Sequence, residues 1–98
     1  MGLEVLVRSP SESISLRAAL KRLAEGGFPT TILMVDGALV MPSAPPPEAW
    51  REVRVKTTAG TVTLSRRPGG VAVLVFGNAD VALREAQERV AEALAAEA

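Results

Sequence analysis

Residues 52–76 read EVRVKTTAGTVTLSRRPGGVAVLVF and contain three strand-like runs separated by two turn signals. The first two runs, EVRVKT and TVTLSR, alternate apolar with polar residues, which is the pattern of a strand with one buried face. The third run, VAVLVF, is apolar at every position and therefore predicts a strand that is buried on both faces. Glycine-containing turns follow the first two runs, at 59–60 and at 68–70. The segment thus predicts a three-stranded antiparallel meander.

Two further strands precede the meander and meet at Asp36-Gly37. An Asp-Gly pair between the apolar runs 31–35 and 38–41 indicates a tight hairpin, because both central residues of such a turn need positive φ. A Pro-rich connector, 42–47, follows the hairpin and suits neither a helix interior nor a central strand. We expect Trp50, which comes soon after the connector, to plug the core.

The first helix is predicted to run from residue 10 to residue 25. Ser9-Pro10-Ser11-Glu12 has the form of a capping box with proline at the first helical position. Ser13 and Ser15 are alternative starts that shorten the helix by about one turn. Gly26-Gly27 ends the helix by supplying a residue that adopts the left-handed conformation.

A second helix is predicted over 80–96, with Asn78 or Asp80 as its N-cap. Residues 3–7 supply one more strand, at the N-terminus of the sequence. The 98 residues therefore predict a single α+β domain, 1–98. Its sheet is mostly antiparallel and five- to six-stranded, with two helices, in the order β-α-β-β-(short turn)-β-β-β-α.

The chain contains no histidine, cysteine or tyrosine. These residue types most often transfer protons, attack carbonyl groups or hold transition metals. The remaining acids are not paired as magnesium sites usually require. We therefore expect a protein that is not an enzyme and that has no cofactor and no metal site. The absence of cysteine and the scarcity of side-chain amides are typical of a thermophile composition.

Charge and hydropathy argue against two classes of partner. Eleven basic and eleven acidic residues cancel, although five of the basic residues lie within 51–67. No aromatic side chain joins them on the predicted sheet face, and RNA-binding sheets need such side chains to stack bases. No apolar run approaches the ~20 residues that span a bilayer, and the N-terminus lacks a signal-peptide pattern. We expect a cytoplasmic protein that binds neither nucleic acid nor membrane.

The turn after the second strand of the meander is the candidate ligand-binding site, with residues Arg66, Arg67, Gly69 and Gly70. Two arginines beside a glycine turn can grip a phosphate through side chains and backbone N–H groups. The turn is similar to the Arg-Pro-Ser-Gly phosphate loop of the phosphohexomutase C-terminal domain, although Gly69-Gly70-Val71 stands where that loop has Ser-Gly-Thr. A solvated hairpin tip is the alternative interpretation.

From Leu16 onward, the element order and the hydrophobic pattern resemble the roadblock/LC7 domain. The resemblance rests on helix 16–25, hairpin 32–40, meander 53–76 and helix 80–96. The chain differs from the family pattern by an added first strand and by a short turn, 47–50, in place of the family's second helix. The resemblance implies a small dimerising module of the kind found with GTPases and motor complexes, generally without catalytic residues.

The strand predicted over 71–76 leads to an expectation about assembly. Its residues alternate between two sides of the sheet, and two helices suffice to cover only one of them. Either the Pro-rich segment with Trp50 or a second subunit must then cover the side that carries Leu74 and Phe76. We expect a homodimer packed on this side, with Leu74 or its neighbours near the two-fold axis. Such a homodimer would act as an interaction or regulatory module, with another protein as a further partner. The interface candidates are Leu74, Phe76 and Trp50.

Overall fold

The computed structural model describes residues 3–9, 14–41, 43–77 and 80–97. These residues form two helices and six strands in the predicted order, so the predicted α+β class is confirmed. The elements are β1 (Leu3–Arg8), α1 (Leu16–Glu25), β2 (Thr31–Val35), β3 (Ala38–Leu39), β4 (Glu52–Thr57), β5 (Gly60–Arg67), β6 (Gly70–Val75) and α2 (Val81–Ala96).

The six strands form one antiparallel sheet in the order β1-β6-β5-β4-β2-β3. The predicted meander is its centre, with Leu64 of β5 lying between Val53 of β4 and Val73 of β6. β1 pairs with β6 along its whole length, and β3 pairs only with β2. β1 and β3 are therefore the two edges of the sheet.

Alternation along the strands gives the sheet two different faces. Both helices pack on one face, where α2 contacts β1, β6 and β5 and α1 lies beside α2. The central side chains of this face are fully buried and form an aliphatic core: Val53, Val55, Val62, Leu64, Val73 and Val75. None of the described elements covers the opposite face, which we call the open face.

Helix α1 begins at Leu16, so the predicted start at residue 10 is wrong. Ser15, the alternative start, is the N-cap, and its Oγ accepts a hydrogen bond from the N–H of Ala18. The predicted capping box lies almost wholly outside the described residues. At the other end the predicted stop is confirmed, since Gly27 has a φ of 81° and lies directly after the helix cap.

Helix α2 begins after Asp80, whose carboxylate accepts a hydrogen bond of 2.8 Å from the N–H of Leu83. The alternative cap, Asn78, lies outside the described residues. Gln87 is buried within the apolar stripe of this helix, which the hydrophobic pattern did not predict. Its Nε2 donates to the carbonyl oxygens of Leu3 and Val73, at 3.0 and 2.8 Å. Gln87 therefore ties the helix to β1 and β6. None of the helices in the described part of the chain is long and apolar enough to cross a bilayer.

The predicted hairpin turn is confirmed at Asp36 and Gly37, whose φ values are 50° and 83°. Asp36 also links this hairpin to the start of β4. Its Oδ1 accepts hydrogen bonds from the backbone N–H groups of Arg51 and Glu52, at 2.7 and 2.9 Å. The bond from Glu52, followed by that from Arg51, lowers the pKa of Asp36 below its ordinary value of 3.8.

We expect Asp36→Asn to be less stable than the parent at neutral pH, and we expect this difference to close in acid. A folded-state pKa below the unfolded value means that the carboxylate stabilises the fold above the unfolded pKa. That contribution is lost as the pH falls through the lowered pKa of the folded state. Urea unfolding midpoints of both proteins, measured from neutral pH down to about pH 3, provide the check. A difference that stays constant over this range would contradict the role of the Asp36 charge.

Candidate functional site

The turn between β5 and β6 sends the two candidate arginines to opposite faces of the sheet. Arg66 lies on the helix-covered face opposite Val71, and its guanidinium carbon is 4.5 Å from the centroid of the Trp50 ring. Arg67 lies on the open face, where its Nη2 is 3.1 Å from Oε1 of Glu4. The structure therefore does not bring the two arginines together around one ligand.

The two candidate glycines of this turn hold β1 close to it. Gly69 has a φ of 79°, and its carbonyl oxygen accepts a hydrogen bond of 2.8 Å from the N–H of Ser9. Gly70 is buried against β1, and a Cβ at this position would lie 2.1 Å from the carbonyl oxygen of Val7. Both glycines thus help to hold the edge strand β1 against the turn.

The three interface candidates lie on two sides of the sheet. Trp50 is only 4% exposed and belongs to the core on the helix side, as predicted for a residue that plugs the core. Leu74 is partly buried on the open face, and Phe76, just after β6, is 58% exposed. Trp50 therefore cannot join Leu74 and Phe76 in one interface on the open face.

A groove of about 840 Å³ lies beside Trp50, on the helix side. Its walls are the start of α1, residues 45–49 at the end of the connector and just after it, Trp50 and Arg66. The described part of the Pro-rich connector thus lies next to α1 and not over the open face. The groove combines apolar walls with one guanidinium group. Within the described residues, no three potential metal ligands of the His, Cys, Asp or Glu types lie together.

The open face carries apolar side chains at its β1 and β6 end. We call the set Leu6, Ala72, Leu74 and Phe76 the β1–β6 patch. Leu6 lies opposite Ala72, which is fully buried, and is itself 50% exposed on the edge strand. The middle of the open face is polar, with Thr61, Thr63 and Ser65 on β5 and Arg54 and Lys56 on β4.

Leu6 is not among the site and interface residues predicted from the sequence, although the residue pattern of β1 indicates it. Val5 and Val7 point to the core, so alternation calls for a polar residue between them. Leucine at this position breaks the alternation and marks an apolar side chain on the open face. That β1 lies next to β6, which joins Leu6 to Leu74, depends on long-range pairing and cannot be read from the local pattern.

None of the protein-family models, curated proteins or solved structures compared with the chain matches it. The resemblance to the roadblock/LC7 domain therefore stays a prediction.

Proposed function

We propose that the chain is a non-enzymatic, homodimeric interaction module whose copies meet at the β1–β6 patch. The observation that carries the proposal is the exposure of Leu6 and Phe76, at 50% and 58%, on a sheet face without a helix. Exposed apolar side chains on an uncovered sheet face support an interaction site there. The described part of the Pro-rich connector, which was the other expected cover, lies on the helix side.

The size and charge of the chain support self-association. A domain of 98 residues with no cysteine has an aliphatic core and no covalent cross-link to add stability. Burial of a further apolar surface between two copies stabilises the folded state by mass action. The formal net charge is zero, so two copies do not repel each other through overall charge.

The alternative function, a small-ligand or phosphate site at the Arg66–Gly70 turn, receives less support. Such a site needs both guanidinium groups on one side of the turn, and Arg66 and Arg67 lie on opposite faces. Gly70, which would have to offer its backbone to the ligand, is buried against β1.

Leu6→Glu is expected to convert the dimer to a monomer. Burying a carboxylate from each copy in an apolar contact should weaken association by about 2 kcal/mol or more, roughly thirtyfold in Kd. Sedimentation equilibrium of the parent at tens of micromolar should give about twice the chain mass of 10.3 kDa, and the variant should give a single chain mass.

Leu39→Glu is the matched control, because Leu39 is 81% exposed on the far edge strand β3. This variant should dimerise like the parent. A parent protein that sediments as a monomer at tens of micromolar would end the proposal. Equal dimerisation of the Leu6→Glu variant and the parent would move the contact away from the β1–β6 patch.

A further inference from the structure

The backbone of β1 offers hydrogen-bonding groups along the edge of the sheet. The N–H of Ser9 donates to the carbonyl oxygen of Gly69, and the carbonyl oxygen of Val7 points at Gly70. The backbone N–H and C=O groups of the odd-numbered residues of β1 therefore point toward β6. Successive residues of a strand direct their N–H and C=O groups to alternate sides. The groups that point away from the sheet are those of Glu4, Leu6 and Arg8. None of the other described strands lies beyond β1 on this side of the sheet.

The side chains of the same three residues all lie on the open face and are exposed. Glu4 and Arg8 stand at equal distances on either side of Leu6. If two β1 strands pair antiparallel about Leu6, each Glu4 lies opposite Arg8 of the partner subunit. The two Leu6 side chains then lie opposite each other. The strand is therefore complementary to a second copy of itself in charge and in hydrophobicity.

We infer that two copies of the chain join edge to edge, pairing β1 with β1 antiparallel about a two-fold axis at Leu6. The inference rests on the proposed function, because it names the contact through which the two copies of the homodimer meet. Each Leu6 N–H donates to the carbonyl oxygen of the partner's Leu6, and Glu4 exchanges two backbone bonds with the partner's Arg8. The two six-stranded sheets become one continuous sheet, in which the Leu6 side chains of the two β1–β6 patches meet at the axis, while Leu74 and Phe76 lie outside this contact.

The charges select this arrangement over the alternatives. Parallel pairing in register would place Glu4 beside Glu4 and Arg8 beside Arg8, and like charges directly opposite each other are destabilising. A slip of two residues would leave both charges opposite uncharged residues. Charges of a single sign guard an edge strand against pairing. The opposite signs at positions related by the axis favour one register instead.

Charge complementation tests the inference. Glu4→Lys places two basic side chains at each charged pair, and Arg8→Glu places two acidic ones there. We expect each single variant to dimerise about tenfold or more weakly than the parent, because both charged pairs across the axis become repulsive. An equal mixture of the two variants should form a heterodimer of parent-like affinity, since every charged pair is again of opposite sign.

Arg67→Gln is the matched control. Glu4 also pairs with Arg67 inside one chain, at 3.1 Å, with both side chains 45% exposed. The control breaks that pair without touching the proposed axis, so its dimer affinity should equal that of the parent. Analytical ultracentrifugation of each variant alone measures its self-association. The same measurement on a mixture in which one variant is labelled gives the affinity of the heterodimer.

Amide hydrogen exchange, measured by NMR at high and low protein concentration, tests the backbone contact separately. The N–H groups of Val5 and Val7 bond to β6 and should be protected at both concentrations. Those of Leu6 and Arg8 should be protected only at high concentration, where the dimer forms. Protection that does not depend on concentration at Leu6 would contradict the pairing.

The outcomes separate this inference from the proposed function. A monomeric parent overturns both. A dimer that Leu6→Glu disrupts, but that shows neither charge complementation nor concentration-dependent protection at Leu6, overturns the edge pairing. Such a dimer would leave the proposed function standing, with the copies packed face to face. Heterodimer formation by the two charge variants, together with protection of the Leu6 and Arg8 amides only at high concentration, supports both the edge pairing and the proposed function.

Discussion

Gly70→Ala is expected to destabilise the domain by about 3 kcal/mol, at the upper end of the range for overpacking. A Cβ at this position would lie 2.1 Å from the carbonyl oxygen of Val7 and 3.2 Å from the Cα of Arg8. Both neighbours are backbone atoms, which cannot rotate away as a side chain can. β1 would have to separate from the turn, and its pairing with the end of β6 would be lost. Urea unfolding at equilibrium measures the change.

Gly69→Ala is the matched control for this prediction. Gly69 has a φ of 79° and open space around it, so a methyl group meets no neighbour there. Its cost is the backbone strain of a left-handed alanine, about 1 kcal/mol. Equal effects of the two substitutions would show that β1 is not held against the turn. If the copies pair through β1, Gly70→Ala should also weaken the dimer, and Gly69→Ala should not.

Local chemistry explains which parts of the fold could be predicted from sequence. The Asp36-Gly37 hairpin and the meander depend on turn residues and on period-two alternation, and both signals lie within a few neighbouring residues. The start of α1 was ambiguous because three serines, at positions 9, 13 and 15, can each act as N-cap. Ser15 is the cap in the structure, although the capping-box pattern favoured Ser9.

The candidate ligand site shows why a motif was misleading here. Arg66 and Arg67 suggest a pair only if both belong to a loop, and the predicted strand ended at residue 66. β5 in fact extends through Arg67 and pairs with β6 up to Gly70. Consecutive residues of a strand point to opposite faces, so the same alternation that predicted the meander separates the two arginines.

The features that could not be predicted from the sequence depend on pairing between strands that are distant along the chain. Gln87 looks like a polar residue on the edge of an apolar stripe, because the carbonyl groups of Leu3 and Val73 that it meets come from distant strands. Leu6 likewise can be assigned to the β1–β6 patch only once β1 is known to lie beside β6 at the edge of the sheet. The proposed contact between copies therefore rests on the order of the strands and not on any one motif.

Leu64→Ala should destabilise the domain by about 3 kcal/mol or more, within the range of 2 to 5 kcal/mol for buried leucines. Leu64 is fully buried on the central strand β5, and its neighbours Val53 and Val73 are fully buried as well. The sheet backbone fixes the floor of the resulting cavity and helix α2, which packs on β5, covers it, so the site can collapse only slightly. The lost contacts and the remaining cavity both reduce the free energy of unfolding.

The control for Leu64→Ala is Leu39→Ala, which removes the same atoms from a side chain that is 81% exposed. Its effect should stay within about 0.5 kcal/mol, as for other surface substitutions. Since dimer formation would add a concentration-dependent term to stability, all proteins should be unfolded in urea at one fixed concentration. A loss below about 1 kcal/mol for Leu64→Ala would mean that the helices do not pack tightly on β5. In that case the assignment of the helix-covered face as the core would fail.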